Sequence, residues 1–93
     1  MANLNDKLSG LVVPLVNSNG TNPKLLIDRY NNVYIDLDIA YGRLKLTGPN
    51  ARDYADTAAF DLATEQHKLR LRKVADLMDE LAWLIEQIDQ QNK

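Results

Sequence analysis

The sequence predicts an all-α protein: an antiparallel helical hairpin with a short N-terminal arm, assembling into an oligomeric helical bundle. Three observations carry that expectation. Two long segments hold apolar residues at alternating steps of 4 and 3, the spacing that keeps one side of a helix facing a neighbour. Gly48-Pro49-Asn50 stands between them as a breaker. The chain has only 93 residues, a size at which folding removes about 60–65% of the unfolded surface from water and a lone core is marginal. With 0 cysteines and 1 histidine, disulfides, thiolate metal sites and multi-histidine zinc sites are excluded, leaving association as the usual remedy for a small core.

The first helix is expected over about residues 22–47. Thr21 is placed to cap it, and Pro23 falls in the first turn, where its missing donor costs nothing. Its seam reads Leu26, Tyr30, Val33, Leu37, Ala40, Leu44, with a flanking stripe of Ile27, Tyr34 and Tyr41. A seam with such a flank is wider than one helical contact needs, so a second neighbour is expected, with Tyr34 and Tyr41 at an interface. Gly48 and Pro49 are expected to end the helix.

A loop over residues 48–55 leads to the second helix, over about residues 56–91. Its seam is Phe60, Thr64, His67, Leu71, Val74, Met78, Leu81, Ile85, Ile88, widened by Leu77 and Leu84. It is about 50 Å long against about 37–40 Å for the first helix, so its last turns overhang. Either the apolar run Leu11–Val16 of the arm, residues 1–19, covers the overhang, or a second subunit does. Trp83 falls among polar residues opposite the seam. It is either simply part-exposed or packed under the arm, or it anchors an interface, a role for which tryptophan is enriched.

The charge is −2, which gives no general pull toward nucleic acid. The charges are segregated, however. Lys68, Arg70, Arg72 and Lys73, with Arg43, Lys45 and Arg52, gather toward the loop, whereas Asp76, Asp79, Glu80, Glu86 and Asp89 follow toward the C-terminus. The basic run is either a solvated helix face or an anion site, and the acidic half disfavours a long nucleic-acid backbone. No run of 18 apolar residues spans a membrane, no basic and apolar leader marks secretion, and no cofactor is implied.

No catalytic constellation is found, and an enzyme is not expected. There is neither a phosphate-binding glycine loop nor a histidine with a neighbouring nucleophile, and Asp36/Asp38 and Asp79/Glu80 point to different sides of their helices. The candidate binding residues are Asn50, Arg52, Tyr54, His67 and Arg70. Arg52 offers a planar fork of donors, Tyr54 a stacking ring and Asn50 turn chemistry. His67 is either a core histidine satisfied by a carboxylate or carbonyl, or part of a polar pocket with Arg70 that holds an anion.

Asn19-Gly20-Thr21, Pro49-Asn50-Ala51-Arg52-Asp53-Tyr54 and Glu65-Gln66-His67-Lys68-Leu69-Arg70 resemble a group of small helical proteins of phages, prophages and plasmids. In that group the loop reads Pro-Asn-Gly-Arg-Asp-Tyr-Tyr and Glu directly precedes His; here Ala51, Ala55 and Gln66 depart from it. The resemblance spans about residues 17–90. It implies a helical hairpin of mobile-element origin in the bacterial cytoplasm and brings no catalytic role. The expectation is a non-enzymatic binding protein that forms homo-oligomers, dimeric or larger, and sequesters a small anionic nucleotide signal between subunits as a counter to host defence. The alternative is a protein–protein module, either an inhibitor of a host complex or a small phage structural piece.

Overall fold

The computed structural model describes Leu8 and residues 10–91; what was expected of residues 1–7 and Ser9 in the arm lies outside them. The described residues form two helices, with no strand among them: α1, Pro23–Lys45, and α2, Thr57–Gln91. A 3-10 turn, Ala51–Asp53, lies in the connection. The two helices pack against each other. The molecule is elongated, 60 × 29 × 17 Å, with a radius of gyration of 18.0 Å, against about 12 Å for a compact domain of this length.

Each end is made by local side chains. Asn22, not Thr21, caps α1: its Oδ1 accepts from the amides of Lys24 at 2.9 Å and Leu25 at 3.3 Å, and Pro23 follows at the first helical position. Asparagine reaches the second and third amides while its own backbone stays extended, satisfying donors that have no partner inside the helix. α1 stops without a left-handed residue: no described residue has a positive φ. Leu46 continues the right-handed turn, and Thr47 Oγ1 donates to the carbonyl of Leu44 at 2.7 Å. Arg43 and Lys45 in the last turn face the negative end of the helix. Asp56 opens α2, accepting from the Ala59 amide at 2.8 Å.

The packed side of α1 differs from the expected seam. Tyr30, Tyr34, Leu37, Tyr41 and Leu44 are half-buried, while Val33 and Ala40 are exposed. The contact still steps by 4 and 3, but it is rotated by a fraction of a turn toward the tyrosines. The larger rings bury more apolar surface than Val or Ala in the same position.

The best-buried apolar residues lie away from the connection. Leu8, Leu81, Leu84 and Ile88 form that core, and Ile88 is fully buried. The arm lies here. Leu11, Val13, Pro14 and Val16 are half-buried, with Val12 and Leu15 turned to solvent. Gln91 fastens it with both ends of its amide: Nε2 donates to the Pro14 carbonyl and Oε1 accepts from the Val16 amide, each at 2.9 Å. Asn17 then turns the chain, its Oδ1 accepting from the Asn19 amide at 2.9 Å and its Nδ2 donating to the Leu15 carbonyl at 3.0 Å. Ile88→Ala is expected to cost about 2–5 kcal/mol in urea denaturation, and Asn22→Ala about 1 kcal/mol. Equal, small effects of both would contradict a core concentrated at this end.

Candidate functional site

The residues expected to bind a ligand flank the connection, and each takes a distinct local role. Asn50 has an extended backbone, and its Oδ1 accepts from the Arg52 amide at 3.1 Å, opening the 3-10 turn. Its side chain is therefore a cap first. Tyr54 stands after the turn, with its ring tilted on Phe60 at a centroid distance of 6.1 Å. The contact joins the connection to the first turn of α2 and leaves Tyr54 partly exposed. Arg52 and Arg70 are exposed, and neither guanidinium has an ion-pair partner among the described residues. Lys45 is drawn over the Tyr41 ring at 4.9 Å from its centroid, and Lys68 pairs with Glu65 at 3.2 Å on an exposed face. Such exposed contacts add little stability.

His67 is different. It is 92% removed from solvent, with 8% exposure. The site a Cβ on Gly48 would occupy lies 3.6 Å from Nε2 and 3.8 Å from Cδ2, so the connection lies against the imidazole. Nδ1 is buried and has no hydrogen-bond partner. The carboxylate or carbonyl expected to satisfy this ring does not reach that nitrogen. A buried polar atom left without a partner costs about 1–3 kcal/mol. Among the described residues no cluster of three metal-binding side chains is present, and no helix is long and apolar enough to cross a membrane.

Tyr34, Tyr41 and Trp83 are all half-buried. Besides Val12 and Leu15 of the arm, the large apolar side chains turned most fully outward are Leu46 at 85%, Leu69 at 62%, Leu62 at 61% and Ile39 at 54% exposure, with Ile35 also exposed. The seams drew attention to the opposite side of each helix, and these residues were missed. Their signal was present in the same spacing: Ile39 to Leu46 and Leu62 to Leu69 are each two helical turns apart.

No protein-family model matches the chain, and no match was found among curated proteins or solved structures. His67→Leu removes the unpaired nitrogen while keeping the volume apolar, and is expected to leave the melting temperature unchanged or raise it. A drop equivalent to more than about 1 kcal/mol would mean that Nδ1 is satisfied in solution.

Proposed function

We propose that this chain is a non-enzymatic protein-binding module. Its two helices form an antiparallel hairpin, closed at one end by the arm and open to partners on both flanks of the other. The observation that carries this reading is the exposure of Ile35 and Ile39 on α1, of Leu46 just past its end, and of Leu62 and Leu69 on α2. Soluble monomers rarely leave contiguous apolar patches of more than a few hundred Å² uncovered. Isolated exposed leucines are ordinary, but here they recur at helical spacing on both elements, near the connection. Among the described residues, the arm lies at the opposite end of α2 and no third layer lies over this end. The resemblance to phage proteins adds the context of a host complex or an assembly. A photo-reactive residue in place of Ile39 or Leu62, activated in the producing cells, is expected to give a discrete adduct, while one in place of Asn19 gives none. Absence of an adduct at both apolar positions would end the reading.

A second reading is favoured by His67 alone. A buried nitrogen without a partner beneath the connection, with exposed Arg52 in the connection and exposed Arg70 three residues along α2, supports a small anionic nucleotide as ligand. Calorimetry with a panel of cyclic nucleotides is expected to give heat that Arg52→Ala abolishes. No heat with any member would remove this reading and leave the first intact.

A further inference from the structure

The outward faces of α1 and α2 fit each other, and we infer that they dock between two copies of this chain: α1 of one copy against α2 of the next, antiparallel, with Ile39 opposite the neighbouring copy's Leu69. The inference rests on the protein-binding reading above and names its partner.

On α1 the outward stripe is Ile35, Ile39 and Gly42, continued by the C-cap residue Leu46, stepping by 4, 3 and 4 on the side away from the half-buried tyrosines. Gly42 is informative. A glycine inside a helix costs about 1 kcal/mol relative to alanine, and packing within the chain does not explain it. A Cβ there would meet nothing within 4 Å, and φ is not positive. Neither crowding nor backbone conformation requires glycine at this position. Close approach of a second helix would, since a missing side chain in an apolar stripe lets two backbones come together.

On α2 the outward stripe is Leu62 and Leu69. Both pairs have the same spacing, so placing Ile39 opposite Leu69 in an antiparallel pair puts Leu46 opposite Leu62. The charges then choose the direction. Asp36 and Asp38 lie on opposite edges of the α1 stripe, and Arg70 and Arg72 on opposite edges of the α2 stripe. Antiparallel packing brings the edge with Asp36 against the edge with Arg70, and the edge with Asp38 against that with Arg72, each within about one turn. Parallel packing on the same leucines sets Asp36 beside Asp61 and Lys45 beside Arg70, which is repulsive on both edges. All four of the favoured partners are exposed in the single chain, and none has an ion pair there among the described residues.

The two faces lie on different helices, so the contact is heterologous: it grows by head-to-tail addition, into a ring if the rotation closes and into an open filament if it does not. Two short helical faces bury less than about 1,200 Å², the range of weak association, so assembly should depend on concentration.

Sedimentation velocity over a wide concentration range tests this with four forms of the full chain. Wild type is expected to shift to larger species as concentration rises. Leu69→Lys should weaken association by about tenfold or more, the equivalent of one well-packed contact. The double change Asp36→Arg with Asp38→Arg should weaken it similarly. Combining those with Arg70→Asp and Arg72→Asp in one chain should restore it. Circular dichroism of each form confirms that the helices remain. Wild type that stays monomeric, or variants that associate as wild type does, would overturn the inference. Adducts from Ile39 or Leu62 that contain a different protein, together with a monomeric wild type, would overturn it while leaving the protein-binding reading standing.

Discussion

Everything in this fold follows from where the third layer lies. Two helices alone can bury only one stripe each, and a chain of 93 residues has little else to add. The arm is the one extra layer, and Gln91 commits it to the C-terminal end of α2 through two hydrogen bonds. That is where Leu81, Leu84 and Ile88 are buried. Among the described residues the connection end receives no such cover, and it holds a buried histidine nitrogen without a hydrogen-bond partner. Burial is therefore uneven along the described residues, with the best-buried apolar side chains at the arm end.

Helix existence was legible in the sequence because it rests on periodicity and length, whereas the arm was one of two covers the sequence left open. Pro23, Gly48 and Pro49 marked the ends within a few residues. The length difference between the helices pointed to Leu11–Val16 as cover. What periodicity did not settle was which of two adjacent stripes packs. Tyr34 and Tyr41 take the places expected for Val33 and Ala40 because a seam and its flank differ by less than one residue of rotation, and ring area decides between them. The caps were misplaced for a related reason. Thr21 and Asn22 are both good caps, and only the backbone conformation selects Asn22.

The candidate site was legible as composition but not as geometry. Asn50 was singled out for ligand contact, yet its oxygen is committed to the Arg52 amide. Tyr54 was singled out as a stacking ring, and its ring instead lies tilted against Phe60 of its own chain. The outward stripes were invisible because a seam search finds the best apolar face of each helix and stops. A second apolar face on the same helix is a signal only after the first is known to be used, and that requires the fold.

The central claim is that the connection end is completed by a second copy. Thermal unfolding followed across protein concentration tests it most directly, since a partner that binds only the folded state raises stability by mass action. The melting temperature is expected to rise steadily with concentration in the wild-type chain and to stay flat for Leu69→Lys. A wild-type melting temperature independent of concentration would contradict the claim.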